Sequence, residues 1–196
     1  MNKISPIFRH INFPNLITTL GLVFGIYAAY FLTQQNLRGA IIMLFFASTA
    51  DLLDGFVATK LGQQSEFGKY LDTLVDFFTC VIMPIWMVFD LLDNNILIFF
   101  ALVVYCVCGL WRLANYSLVG NSKGFVGLPV PAAMSLVTAT IWFILYYNVP
   151  LFVGAIVFII TAMLMVSNIA LPKYGRWQKA FGLLGLAFLI FVLVSS

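Results

Sequence analysis

Four regularly spaced aspartates are the residues of this sequence best suited to chemistry. Asp51 and Asp54 lie near the end of one long apolar run, and Asp72 and Asp76 lie near the start of the next. Spacings of three and four residues place the members of each pair on one face of a helix. Charged groups inside apolar segments are costly and usually functional. We therefore interpret these four carboxylates as a candidate site.

The two apolar runs are joined by a short loop at about 62–67, so they are expected to form antiparallel neighbours. When the helical rise of about 1.5 Å per residue is counted back from this loop, Asp51 reaches the depth of Asp76. Asp54 reaches the depth of Asp72 in the same way. The four carboxylates are then expected to converge in one layer near one membrane face, where they cannot all be ionised without a counter-charge.

A divalent metal ion is the counter-charge that this set of residues favours. The ligands are oxygens only, without a set of His or Cys, which indicates Mg²⁺ or Mn²⁺ rather than zinc. Two ions can share four carboxylates, an arrangement suited to clamping a diphosphate and its leaving oxygen.

Two other interpretations of the aspartates stay open. They can be helix-end residues without chemistry, or part of a path for ions or protons. A relay distributes polar groups across the whole membrane, whereas the outer halves of these runs are nearly pure hydrocarbon. This one-sided distribution favours a surface enzyme with a lipid substrate over a transporter.

The elements that position the aspartates are predicted to be membrane-spanning helices. Of the 196 residues, 63% are hydrophobic and 9% are charged, against about 25% charged in a soluble domain. Such a chain is too apolar for a water-soluble globule, and we expect membrane lipid rather than nucleic acid as its partner. Seven apolar segments are predicted to be helical because a helix satisfies its own backbone hydrogen bonds. They lie at about 14–33, 38–61, 68–92, 95–118, 129–147, 150–167 and 178–195.

The basic residues predict the orientation of these helices. With the N-terminus in the cytoplasm, all basic residues except Arg38 lie on or near the cytoplasmic side, as the positive-inside rule requires. They are Lys3, Arg9, Lys60, Lys69, Arg112, Lys123, Lys173, Arg176 and Lys179. Residues 1–13 are expected to be a retained segment along the membrane interface, and residues 1–196 a single transmembrane domain.

The three cysteines lie inside apolar runs. They are Cys80, Cys106 and Cys108. The spacing of the last two on one helix matches no standard metal site, so we interpret all three as small apolar packing residues.

The aspartate pattern also resembles the signature of a known family, the CDP-alcohol phosphotransferases. The matching residues run as Asp51-x2-Asp54-Gly55-x2-Ala58 … Gly68-x3-Asp72-x3-Asp76, and Asn15 and Thr18 resemble the first helix of that family. The family has Arg after the Ala, where this chain has Thr59 followed by Lys60. The resemblance implies an all-α polytopic bundle with a six-helix core, to which this chain adds one or two helices.

Three later motifs are similar to the phosphatidylserine synthase branch of the family. They are Arg112-Leu-Ala-Asn115-Tyr, Phe125-Val-Gly127-Leu-Pro129-Val-Pro131-Ala-Ala and Leu164-Met-Val-Ser167-Asn168. Each also has a simpler interpretation. Arg112 can be a helix-end cation that extends to the interface, the glycine and prolines can break the chain before the fifth span, and Ser167 with Asn168 can end a helix.

The resemblance implies transfer from CDP-diacylglycerol to an alcohol, with CMP as the leaving group. Asp76 is implied to act as the general base beside its metal-binding role. The donor is expected to contact Gly55, Ala58, Thr59, Lys60, Gly68, Asn15 and Thr18. L-serine is the expected acceptor, held by Arg112, Asn115, Lys123, Ser167 and Asn168. Glycerol phosphate, inositol phosphate or another small alcohol remain alternatives. The family also implies a homodimer in the cell (inner) membrane with its active site on the cytoplasmic face.

Overall fold

The computed structural model describes residues 6–91, 95–119, 125–171 and 176–194, and most of them are helical. A 3₁₀ helix at Pro6–His10 is followed by seven longer helices in these residues. They are α1 (Phe13–Thr33), α2 (Leu37–Leu61), α3 (Glu66–Leu91), α4 (Ile96–Val119), α5 (Val130–Tyr147), α6 (Leu151–Met165) and α7 (Arg176–Val194). The all-α polytopic fold predicted from the sequence is confirmed.

Five of these helices, α1 to α5, are long and apolar enough to cross a membrane, which makes the chain an integral membrane protein. The sixth is shorter than the segment predicted at 150–167, because α6 has only 15 residues. An α-helix of that length reaches about 22 Å, which is less than a hydrocarbon core of about 30 Å. Three of the basic residues used for orientation, Lys3, Lys123 and Lys173, lie outside the described residues.

Local capping determines where the first three helices begin and end. The side chains of Asn12, Asn36 and Ser65 each accept a backbone N–H three residues later, at 2.9, 2.8 and 3.0 Å. These interactions are typical N-caps. Helix α2 ends at Leu61 and is capped by Gly62, whose φ of 62° is the left-handed conformation that glycine adopts without a steric penalty. The turn between α2 and α3 is therefore short, which brings the two aspartate pairs together.

Small residues let α1 pack closely on α2 beside the aspartates. A Cβ atom at Gly21 would lie 3.5 Å from the Cβ atom of Ala50 and 3.8 Å from a methyl group of Val75. Close approach through small residues is a common way to pack helices in membranes. Because Ala50 and Val75 directly precede Asp51 and Asp76, this contact fixes the backbone at both halves of the site.

Most of the largest fully buried side chains belong to the helices that follow α2, although Leu32 of α1 and Leu44 of α2 are also among them. Among the described residues they include Trp142, Tyr105, Phe158, Met83 and Met87. At the aspartate end, two connecting segments pair as a two-residue antiparallel ladder, Phe125–Val126 with Ala170–Leu171. This ladder joins the connection before α5 to the connection after α6.

The contact of α1 with the middle of α3 predicts the effect of one glycine substitution. A Cβ at Gly25 would lie 2.7 Å from Cγ2 of Thr79 and 3.1 Å from the ring of Phe78. Overpacking of this kind costs about 1–3 kcal/mol. We expect Gly25→Ala to lower the Tm of the purified protein in detergent.

Gly185→Ala is the matched control, because no described atom lies within 4 Å of a Cβ at that position. A Gly→Ala change at an uncrowded helix position is neutral or stabilising, by about 1 kcal/mol at most. Equal Tm values for the two variants would contradict the packing of α1 against α3.

Candidate active site

Three of the four predicted aspartates meet at one point between α2 and α3. Asp51, Asp72 and Asp76 each offer one carboxylate oxygen, and these oxygens lie within 4.8 Å of one another. All three side chains are partly buried and line the same cavity. Oxygen ligands at this spacing suit a hard divalent cation. The three residues are called the carboxylate cluster below.

Asp54 lines the same cavity, but its carboxylate is engaged with α1. It accepts a hydrogen bond from the Thr18 hydroxyl, and the Asp54 side chain is only 5% exposed. The sequence predicted that four carboxylates converge in one layer. In the structure all four line one cavity, three of them meet at a common point, and the fourth is hydrogen-bonded to the first helix. A buried carboxylate requires such a donor, because without one the loss of its hydration is not compensated by any hydrogen bond.

Asn15 and Gly68, predicted to contact the donor, join the start of α1 to the start of α3. A Cβ at Gly68 would lie 2.7 Å from the Oδ1 atom of Asn15. The side-chain amide of Asn15 donates to the His10 carbonyl oxygen at 2.7 Å, and the His10 ring stacks on Phe67 with centroids 4.3 Å apart. Neither Asn15 nor Gly68 is among the described residues that line the cavity. In this structure, Gly68 allows α1 to approach α3.

The cavity has a volume of about 810 Å³ and continues from the carboxylate cluster into the bundle. Its α2 residues run from Ile41 to Lys60, a length of roughly 28 Å by the rise of an α-helix. The deeper part is mostly apolar and is formed with α5 and α7. Its residues include Ile41, Leu44, Phe45, Met134, Phe188 and Leu189. The cavity therefore has a charged end and a long hydrocarbon end.

Three predicted donor residues of α2 lie at the charged end. Gly55 is exposed to the cavity, and no described atom lies within 4 Å of a Cβ placed there. Thr59 donates its hydroxyl to the Gly55 carbonyl at 2.9 Å and accepts from the side-chain amide of Gln64 at 2.9 Å. The Lys60 ammonium lies 5.9 Å from the centroid of the Phe56 ring. Both Thr59 and Lys60 line the cavity, so an anionic ligand can reach either.

Ala58 and Thr18 were also predicted to contact the donor. Ala58 is half-buried on α2, and neither residue is among the described lining residues. Thr18 is connected to the site by its hydrogen bond to Asp54.

Arg112 is a buried cation in the wall of the cavity. Its side chain is 9% exposed, and its Cζ atom lies 5.6 Å from the centroid of the Tyr116 ring. Among the described residues, its Nε atom has no hydrogen-bond partner. A buried guanidinium with a free donor is well suited to bind a carboxylate or phosphate. The simpler interpretation, a cation extending to the interface, does not account for this burial.

Three other residues predicted to bind the acceptor are described by the structure and do not line the cavity with Arg112. Asn115 and Asn168 are exposed, and the Ser167 hydroxyl donates to the Leu164 carbonyl at 2.8 Å. None of the three is among the described residues that line the cavity, and Lys123 lies outside the described residues. Ser167 has the helix-end role that the sequence left open.

Gly127 has a structural role at this end of the bundle. Its φ is 78°, and a Cβ there would overlap the Met165 carbonyl oxygen. Its N–H donates to the Ile169 carbonyl at 2.8 Å. The segment before α5 is thereby held against the end of α6.

The sequence interpretation missed Cys80, which contacts the carboxylate cluster. Its Sγ atom lies 3.9 Å from Oδ1 of Asp76, within the range of a weak S–H hydrogen bond. The available signal was its spacing, because residues four apart share a helix face. The surrounding apolar run led instead to an interpretation as a packing residue.

The chain matches the family model for CDP-alcohol phosphatidyltransferase over residues 11–194. It is 30% identical over 164 residues to a CDP-diacylglycerol–serine O-phosphatidyltransferase of Methanocaldococcus jannaschii, covering 84% of this chain and 75% of the relative. It is 28% identical over 180 residues to the Bacillus subtilis protein of the same name, covering 84% of this chain and 98% of that one. An archaetidylserine synthase of Methanothermobacter thermautotrophicus is 31% identical over 167 residues, which cover 82% and 69% of the two chains.

The hydrogen bond between Thr18 and Asp54 predicts a loss of stability when its donor is removed. Thr18→Val keeps the shape of the side chain but leaves the buried Asp54 carboxylate without that donor. An unpaired buried acceptor costs about 1–3 kcal/mol, and more when charged. We expect a lower Tm in detergent for this variant.

Thr19→Val is the matched control, because the exposed Thr19 hydroxyl donates only to the Asn15 carbonyl of its own helix. The coupling of the two side chains is measured by combining Thr18→Val with Asp54→Asn. If Thr18→Val lowers the Tm much less in the Asp54→Asn protein than in the unmodified protein, the two side chains are coupled. Additive effects of the two substitutions would contradict the interaction.

Proposed function

The chain belongs to the CDP-alcohol phosphatidyltransferase family, and on that premise we propose that it transfers a phosphatidyl group from CDP-diacylglycerol to L-serine. The products are phosphatidylserine and CMP. The observation that carries the proposal is the form of the cavity, with the carboxylate cluster at one end and a long apolar extension at the other. The names of the relatives support serine as the acceptor.

The cavity matches a lipid with a charged head group. A nucleotide diphosphate at the charged end would lie beside Gly55, Thr59 and Lys60, where a glycine leaves space for close approach. The acyl chains would extend along α2 toward Ile41 and Phe45. Because lipid acyl chains already lie in hydrocarbon, this apolar surface would accommodate them without the cost of exposing them to water or to polar groups.

The carboxylate cluster fits a divalent metal ion, either Mg²⁺ or Mn²⁺. The test is the chemistry of the donors: three carboxylate oxygens lie within 4.8 Å of one another in a partly buried site. Asp51, Asp72 and Asp76 would hold the metal, and Asp54 would complete the set if two ions bind. When bound, such an ion neutralises the diphosphate and stabilises charge on the leaving phosphate oxygen.

We assign the role of general base to Asp76. Its carboxylate would take the proton of the serine hydroxyl while the hydroxyl oxygen forms a bond to the lipid phosphorus. The bond from phosphorus to the CMP oxygen breaks, and CMP leaves with that electron pair. Positioning of the attacking hydroxyl contributes strongly to such a displacement.

Arg112 is the residue best placed to bind the serine carboxylate. It is the buried cation of the cavity wall, and its Nε atom lacks a partner among the described residues. A guanidinium can bind a carboxylate through two parallel hydrogen bonds. Asn115, Ser167 and Asn168 lie away from the cavity lining, so we assign no acceptor contact to them.

We also propose a homodimer in the cell (inner) membrane, with the active site on the cytoplasmic face. The distribution of basic residues supports this orientation. Lys60, Lys69 and Arg112 lie at the end of the bundle that holds the carboxylate cluster, and Arg38 lies at the opposite end of α2. Basic residues are concentrated on the cytoplasmic side of membrane proteins.

The proposed reaction is tested with purified protein, CDP-diacylglycerol, Mn²⁺ and a panel of alcohols, by measuring CMP and the lipid product. Of the alcohols in the panel, we expect only serine to give a lipid product, phosphatidylserine. We expect EDTA to abolish this product, because the carboxylate cluster needs a counter-charge. A product with glycerol phosphate or inositol phosphate would identify another acceptor. Flux of metal ions or protons into liposomes without any lipid product would support a transporter instead.

Asp76→Asn is expected to lower CMP release by at least about a hundredfold, because a general base contributes 10²–10⁴-fold. Binding of the donor lipid should change little, since Asn is nearly isosteric and the proposed donor contacts lie on α2. Asp90→Asn is the control, because Asp90 lies at the opposite end of α3. Normal CMP release by Asp76→Asn would remove Asp76 from the role of base.

Arg112→Ala is expected to raise the KM for serine by about ten- to a hundredfold, the worth of a charged hydrogen bond, while the KM for CDP-diacylglycerol changes little. Arg112→Lys keeps the charge but not the planar fork, so its effect should be intermediate. Arg38→Ala at the opposite end of the bundle is the control. Unchanged serine kinetics in folded Arg112→Ala would place the acceptor elsewhere.

A further inference from the structure

The hydrogen-bond pattern of α3 changes directly after Asp76. Residues Phe77–Ile82 form a π-helical segment, in which the backbone N–H of Met83 bonds to the carbonyl of Phe78, five residues earlier. Segments of this kind are rare, because they widen the helix and leave carbonyl groups without their usual partners. Here the segment begins directly after Asp76, the residue to which we assign the proton transfer.

Pro84 accounts for one of the carbonyl groups that need another partner. In a regular α-helix, the Cys80 carbonyl would accept the N–H of residue 84, but proline has none. The Tyr105 hydroxyl of α4 donates to the Cys80 carbonyl oxygen at 2.8 Å. Tyr105 is 0% exposed, so its hydroxyl cannot donate to water instead of to this carbonyl. A buried tyrosine hydroxyl on a backbone carbonyl fixes the position of both groups.

The same cysteine contacts Asp76 through its side chain. The Sγ atom of Cys80 is 3.9 Å from Oδ1 of Asp76 and 3.6 Å from the hydroxyl of Thr79. The side chain of Cys80 is 1% exposed. Tyr105 therefore holds the backbone of a residue whose thiol lies against the carboxylate.

Two glycines on neighbouring helices hold the widened segment closely. A Cβ at Gly25 of α1 would lie 2.7 Å from Cγ2 of Thr79, and a Cβ at Gly109 of α4 would lie 2.8 Å from Cγ2 of Val81. Both distances are too short for a real Cβ contact. The segment is thus packed from two sides, and its backbone has little room to move.

From these contacts we propose that Tyr105 and Cys80 are positioning residues for Asp76. Tyr105 holds the backbone at Cys80. The Cys80 thiol then limits the rotation of the Asp76 carboxylate and keeps it facing Asp51 and Asp72. Neither residue touches the substrate. This positioning role rests on the proposed function, in which Asp76 is the general base. The position of the Asp76 carboxylate can be tested separately, through metal binding.

Tyr105→Phe removes one hydroxyl and keeps the buried ring. We expect kcat to fall by about tenfold or more, because misplacement of a catalytic group by 1 Å can cost as much as a hundredfold. At saturating Mn²⁺, the KM for CDP-diacylglycerol should stay within about twofold, since the proposed donor contacts lie on α2. Tyr146→Phe, an exposed tyrosine on α5, is the control.

Cys80→Ala tests the contact with the Asp76 carboxylate, and its result can be interpreted even if Tyr105→Phe does not fold. We expect the same pattern, a fall in kcat with little change in donor KM, and a smaller fall for Cys80→Ser, which keeps a hydrogen-bond donor. Cys106→Ala is the control, because Cys106 is only half-buried, on α4. Equal losses for the Ala and Ser variants would assign the effect to packing and overturn the proposed contact.

Mn²⁺ binding without substrate, followed by electron paramagnetic resonance of the free ion, separates this proposal from the proposed reaction. We expect Tyr105→Phe and Cys80→Ala to weaken Mn²⁺ binding several-fold, and both controls to leave it unchanged. This result would support the positioning role even if the unmodified protein released no CMP, in which case only the reaction would be wrong. Unchanged Mn²⁺ affinity together with unchanged kcat in folded variants would overturn the positioning role.

Discussion

Mutual repulsion of carboxylates in a poorly hydrated layer is the constraint on which the rest of this structure depends. Three carboxylate oxygens lie within 4.8 Å of one another, and charges at such distances interact strongly where the dielectric constant is low. The surrounding helices must therefore hold them together against this repulsion. The close contact of Gly21 with Ala50 fixes the backbone beside the cluster, and the hydrogen bond from Thr18 removes Asp54 from the point where the other three meet.

Helix α2 connects the two chemically different ends of the cavity. Asp51 and Gly55 belong to its charged end, whereas Ile41 and Phe45 lie in the apolar end, and all of them line one cavity. Because a helix is nearly rigid over this length, the distance from the carboxylates to the apolar part is constant. A lipid bound along α2 would therefore have its head group placed at a set depth by its own acyl chains. In this arrangement, residues of the bundle itself would set the position of an amphipathic substrate.

The approximate positions of the helices could be predicted from the sequence, because they depend on local rules. Long apolar runs predict the spans, and the capping residues Asn36, Gly62 and Ser65 occur at the ends of α2 and the start of α3. The partner of Asp54 could not be predicted in this way. Asp51 and Asp54 point in directions only about 60° apart on a helix, so the packing of α1 decides which of them meets Thr18 and which meets α3.

The hydrogen-bond partners near Asp76 are a second feature that local sequence patterns do not identify. Pro84 is visible in the sequence, and its missing N–H predicts that the Cys80 carbonyl needs another donor. The donor is Tyr105, 25 residues further along the chain on another helix, and no local pattern identifies it. Inside a membrane such a carbonyl cannot turn to water, so it must find a donor within the protein. The sequence therefore predicts that a partner is needed, and only the packing of α4 against α3 identifies that partner and, through Cys80, connects it to the carboxylate.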